Sequence, residues 1–123
     1  MMNNKRFSVK QSFQFAFEGF HYAIQTQRNL RLQLITAIIV LFVSTFLPMQ
    51  RLEWVIIFLL IGLVIVAEIL NTAIEKTIDM IEERYDPVAK TVKDLSAAAV
   101  LFISVTAALI GAIIYLPKIF ALF

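Results

Sequence analysis

Residues 54–79 read WVIIFLLIGLVIVAEILNTAIEKTID. The first fourteen of these carry no charge, and the next twelve carry Glu68, Asn71, Glu75 and Asp79. About twenty apolar residues are needed to cross the hydrocarbon layer of a bilayer. The stretch therefore predicts a membrane-spanning helix from Trp54 to about Thr72, with Glu68 and Asn71 in its last third. Acids are poorly tolerated at that depth, and a spanning helix that keeps them has a use for them.

Two flanking stretches have the same character. Leu30–Leu47 supplies a first span, ended by Pro48, and Leu95–Leu116 supplies a third, without a charge and closed by Pro117 and Lys118. The composition agrees: 60% of the 123 residues are hydrophobic and 16% charged, where soluble domains sit near 45–50% and about 25%. The reading is a single all-α membrane domain with spans at about 30–47, 54–72 and 95–116. The absence of cysteine excludes disulfides and thiolate chemistry, and the lone His21 excludes a zinc cluster. A net charge of +2, scattered along the chain, gives no basis for nucleic-acid binding. The first thirty residues are rich in polar side chains and show no cleavable signal sequence.

Basic residues set the expected orientation. Lys5, Arg6, Lys10, Arg28 and Arg31 precede or open the first span, and Lys76, Arg84, Lys90 and Lys93 lie between the second and third. The other side has only Arg51 and Lys118. This bias puts the N-terminus and the second link in the cytoplasm and the C-terminus outside, with Trp54 and Tyr115 as interfacial aromatics.

Ahead of the first span, Val9, Phe13, Ala16, Phe17, Phe20 and Ile24 fall on one helical face, with Gln11, Glu18 and Tyr22 opposite. This predicts an amphipathic helix at about 7–27, lying either in the membrane interface or against the bundle. In the third span Ser104, Ala108 and Ala112 recur every four residues beside Ala107 and Gly111. Small residues at that spacing let helices approach closely. Three spans make a thin bundle, so an oligomer is expected.

At 100° per residue, Glu68, Asn71, Glu75 and Asp79 fall within about 80° of one another, in a column roughly 16 Å long. One explanation is an interhelical hydrogen-bond network that sets oligomer register. The other is a reaction site, favoured because four polar groups share one stripe. Burial away from water makes a carboxylate a better base, which suits the deep Glu68 to general-base work. Acids closer to water suit hard divalent cations. A base at lipid depth and oxygen ligands at the surface read together as phosphoryl transfer from a soluble nucleotide to a lipid alcohol. Across the link, Lys90, Lys93 and Asp94 open the third span and offer a phosphate site near a helix start.

The residues EILNTAIEKTID and AKTVKDLSAAAVL resemble the small bacterial integral-membrane diacylglycerol kinase family, and EWVIIFLLIG, DPVAKTVKD and IIYLPK resemble its Gram-positive undecaprenol kinase branch. The resemblance covers nearly the whole chain. It implies a surface helix plus three spans, a homotrimer with sites shared between subunits, ATP as phosphoryl donor and Mg2+ as cofactor. It makes Glu68 the catalytic base and Asn71 the amide beside it. Glu75 becomes a metal ligand, and Asp79, Tyr85, Asp86, Lys93 and Asp94 line the nucleotide site. Resembling proteins read T-E-R-N where this chain reads TQRN, so their second metal-site carboxylate is Gln27 here; Asp86 stands where many have histidine. An engineered inactivating change, a natural variant with weaker metal affinity and an altered chemistry all fit Gln27. The implied reaction makes undecaprenyl phosphate from undecaprenol. Diacylglycerol is the alternative substrate, and a non-catalytic small membrane oligomer is the alternative class.

Overall fold

The computed structural model describes residues 6–82, 84 and 86–123. It consists of four helices, α1 (Val9–Thr26), α2 (Arg28–Ser44), α3 (Arg51–Ile81) and α4 (Pro87–Phe120), with no strand among the described residues. α3 and α4 form an antiparallel pair tied at both ends, by Glu53–Lys118 at 3.0 Å and by Asp79–Lys93. α2 packs less extensively on α3, and α1 touches α2 and α3.

Two helices, α3 and α4, are long and apolar enough to cross a membrane. At 1.5 Å per residue they measure roughly 46 and 51 Å, more than a hydrocarbon core of about 30 Å. α2 is shorter than the span expected at 30–47. It ends at Ser44 and passes into a turn, in which Thr45 Oγ1 donates to the Phe42 carbonyl at 2.6 Å. Its 17 residues extend roughly 25 Å.

The ends of the other helices follow from local chemistry. Ser8 and Gln11 form a reciprocal capping box that starts α1. At the start of α3, before the apolar run begins at Trp54, Glu53 accepts from the Gln50 backbone N–H at 2.9 Å and from Lys118. Both contacts hold its carboxyl below the usual carboxylate range. Asp86 caps α4 by accepting from the N–H groups of Val88 and Ala89 at 2.8 and 3.1 Å. Pro87 follows at the first helical position, where a missing N–H costs nothing. Pro117, read as closing the third span, lies inside α4 instead. So near the helix end it removes one backbone bond, and its own carbonyl accepts from Ala121 at 3.1 Å.

The buried core is small, with Ile57, Leu60 and Ile114 surrounded by Val40, Leu41, Met49, Ile110 and Tyr115. Tyr115 is more than an interfacial aromatic, because its hydroxyl pairs with that of Ser44 and joins α4 to α2. The apolar face of α1 is open along its first part, where Val9, Phe13 and Phe17 are exposed, and half-buried at Phe20 and Ile24. A Phe-rich face left open on a membrane protein suits the membrane interface. The small-residue face of α4 is also not closed by a helix of the same chain. Ser104, Ala107, Ala108 and Gly111 instead line an open groove of about 400 Å³ that runs between α2, α3 and α4.

Candidate functional site

α3 continues unbroken to Ile81, so the helical spacing of Glu68, Asn71, Glu75 and Asp79 is realised on one face. Glu68 is 2% exposed, at about 25 Å along the axis from the start of α3. Its Oε2 accepts from Gln33 Nε2 on α2 at 3.5 Å. One turn further, Asn71 Nδ2 donates to Glu75 Oε1 at 3.4 Å. Asn71 Oδ1 accepts from Ser96 Oγ at 2.6 Å, and the same hydroxyl lies 3.0 Å from the Lys93 carbonyl. Asp79 pairs with Lys93 at the water-exposed end, and Lys90 pairs with Asp94 within α4 at 2.6 Å. The column thus changes along its length from a buried acid, through an amide–carboxylate pair, to exposed ion pairs.

The structure places Glu68, Asn71, Glu75 and Asp79 on one face of α3, with Glu68 turned to Gln33 of α2 and with Asn71 and Asp79 tied to α4 through Ser96 and Lys93. Asp94 faces its own helix neighbour Lys90. Asp86, expected at the nucleotide, uses one carboxylate oxygen to cap α4. Tyr85 lies outside the described residues. Gln27 is the single residue between α1 and α2, half-buried, and its amide nitrogen donates to Thr26 Oγ1 at 3.4 Å. It makes no hydrogen bond to the α3 column. Beside it Arg31 donates to the carbonyls of Ile24 and Gln25 at 2.8 and 3.0 Å, which caps the end of α1. Lys76 lies 5.3 Å from the centre of the Tyr22 ring, a cation–π contact that joins α3 to α1.

Two residues of the site escaped the sequence reading. Gln33 is an amide inside the otherwise apolar first span, and intramembrane polarity marks it by the rule that singled out Glu68. Ser96 gave no such signal. A serine at a helix start is commonplace, and only the α3–α4 pairing brings it to Asn71.

Magnesium fits the donor chemistry. Glu75 and Gln27 offer hard oxygen ligands, and no group of three acidic or histidine side chains able to cage an ion occurs among the described residues. A magnesium site uses one or two protein oxygens and completes its shell with water and substrate phosphates.

Residues 14–115 match the family model of prokaryotic diacylglycerol kinases. The chain belongs to that family. It is 41% identical over 108 residues to an undecaprenol kinase of Bacillus subtilis (strain 168), covering 88% of each chain. It is 34% identical over 112 residues to a diacylglycerol kinase of Synechocystis sp., covering 90% of this chain and 64% of that one. A diacylglycerol kinase of Helicobacter pylori is 31% identical over 84 residues, covering 68% of this chain and 66% of the relative. These relatives are lipid kinases, and the family is one of lipid phosphotransferases.

Proposed function

We propose that the protein transfers the γ-phosphoryl group of ATP to undecaprenol at the cytoplasmic face of a bacterial membrane. The observation that carries this reading is the single α3 strip with a buried carboxylate at one end and exposed ion pairs at the other. A buried base serves a hydroxyl that arrives from the lipid. Exposed charges serve phosphates that arrive from water.

In this scheme Glu68 takes the proton of the lipid hydroxyl as its oxygen bonds to the γ-phosphorus. The bond from that phosphorus to the bridging oxygen breaks, and ADP leaves with the electron pair. Ser96 holds the Asn71 amide, which in turn holds Glu75. Lys93 exchanges Asp79 for nucleotide phosphate. Mg2+ held by Glu75 and Gln27 would neutralise phosphate charge. α2 serves as a third span beside α3 and α4, its roughly 25 Å completed by the flanking Phe46 and Leu47. The open small-residue face of α4 suits a helix of another copy, in a homotrimer.

Undecaprenol is favoured by the B. subtilis relative, which covers most of both chains. Diacylglycerol is the second reading, supported by the kinases of Synechocystis and Helicobacter. A kinase assay in mixed micelles, with both lipids at equal magnesium and ATP, decides between them. Faster turnover of undecaprenol is expected; preference for diacylglycerol selects the second reading, and phosphorylation of neither refutes both.

A further inference from the structure

The water-exposed end of the α3 column is rich in acids, and the lysines that open α4 are already engaged there. Lys93 pairs with Asp79, and Lys90 pairs with Asp94. When either lysine turns to a phosphate, it leaves a carboxylate bare beside the incoming anion. A nucleoside triphosphate carries more negative charge than one magnesium ion and one lysine offset. A cation that meets phosphate without releasing an acid would complete such a site.

Lys76 has these properties. It follows Glu75 directly on α3 and precedes Asp79 by roughly 4.5 Å along the axis and about 60° around it. It is exposed, and no carboxylate of the described residues forms an ion pair with it. Its partner is a neutral ring instead: the ammonium lies 5.3 Å from the centre of Tyr22 on α1. An aromatic face attracts a cation but has no net charge, so the ammonium keeps its charge and its N–H donors. The ring also restrains a long side chain that would otherwise lose rotamer freedom on meeting a ligand.

We propose that Lys76 is a phosphate ligand of the nucleotide site, held ready by the Tyr22 ring. It donates to the phosphates of the incoming triphosphate while Tyr22 keeps it at the edge of the column. The inference rests on the lipid kinase reading and adds a cation to its nucleotide site.

The test measures binding of the magnesium complex of β,γ-methylene-ATP to the detergent-solubilised protein without lipid. The parent is compared with Lys76→Met, Lys76→Arg, Tyr22→Phe and Tyr22→Leu, and KM for ATP and for undecaprenol is measured in micelles. Lys76→Met is expected to weaken the analogue and raise the ATP KM about tenfold, with the lipid KM within about twofold of the parent. Lys76→Arg, which keeps the charge, should stay within about threefold of the parent. Tyr22→Phe keeps the ring and should bind as the parent does, whereas Tyr22→Leu should lose about two- to fivefold. Parental affinity for the analogue in Lys76→Met overturns the proposal. Equal losses in Lys76→Met and Lys76→Arg, or a lipid KM that rises with the ATP KM, overturn it in favour of a packing role. Parental affinity in Tyr22→Leu overturns the part given to the ring. If the parent phosphorylates neither lipid, the kinase reading fails, and binding of the analogue still decides whether Lys76 holds phosphate; a parent that does not bind the analogue overturns both.

Discussion

Glu68 and Gln27 are the two residues on which the chemistry turns, and they test different halves of it. Glu68→Gln keeps the size and polarity of a buried side chain and removes its ability to take a proton. Loss of a general base typically costs about 10²–10⁴-fold in rate. We expect a fall in kcat of that order with helical content and thermal midpoint preserved; retention of more than about a tenth of the parental rate removes Glu68 from the role. Gln27→Glu adds an anionic oxygen where the chain has a neutral one. The expected result is a lower magnesium requirement at unchanged lipid KM, read from magnesium titrations at saturating undecaprenol. Identical titrations would mean that Gln27 does not reach the metal. The acidic column was legible in the sequence because residues on one helix have a fixed angular relation. Gln33 and Ser96 were not identified, because their roles depend on contacts between helices about 25–35 positions apart, which periodicity does not encode.

The helices tell a similar story one level up. Apolar runs located α2, α3 and α4, because hydropathy reports burial in lipid. Their ends depend on caps and turns. α3 runs to Ile81 and α4 starts at Pro87, so the interhelical link is much shorter than the uncharged segments alone suggest. Asp86 is the clearest case. Assigned to the nucleotide site by resemblance, it also caps α4 with one carboxylate oxygen, and a cap makes a separable prediction. Asp86→Ala should lower stability by about 0.5–2 kcal/mol, whereas Asp86→Asn, which can still accept from Val88 and Ala89, should lose little. Thermal or denaturant unfolding in detergent measures both. An equal loss in the two variants would show that the charge, rather than the cap, matters.

For the whole molecule, the sequence supplied an orientation and the structure supplies the surfaces. Nine basic residues fall on the side of the N-terminus and the α3–α4 link, against two on the other. A cysteine introduced at position 86 should resist an impermeant thiol reagent added to intact cells, and one at position 122 should react. The reverse pattern would invert the topology. Oligomerisation was inferred from the thinness of a three-span bundle, and the open groove beside Ser104, Ala108 and Gly111 gives that inference a location. The exposed Phe face of α1 does the same for the interface helix. Neither surface could be read from the sequence as open, since an apolar stripe looks the same whether a helix of the chain covers it or lipid does.

Gln27 ends α1 and begins α2 at once, with Arg31 locked onto the last carbonyls of α1. One residue is therefore the whole elbow between a helix suited to the membrane plane and a helix suited to crossing it. A helix of roughly 25 Å is short for hydrocarbon of about 30 Å, so thicker lipid draws it upright, and local thinning of the bilayer takes up the rest. With no intervening loop, that change in angle falls on the backbone of Gln27 itself, the residue assigned to magnesium. On the proposed assignment of Gln27 to magnesium, metal binding is mechanically coupled to the host bilayer. In vesicles of increasing acyl-chain length, the magnesium requirement should change before the lipid KM does, and a constant requirement across lipid lengths would show that the elbow bends elsewhere.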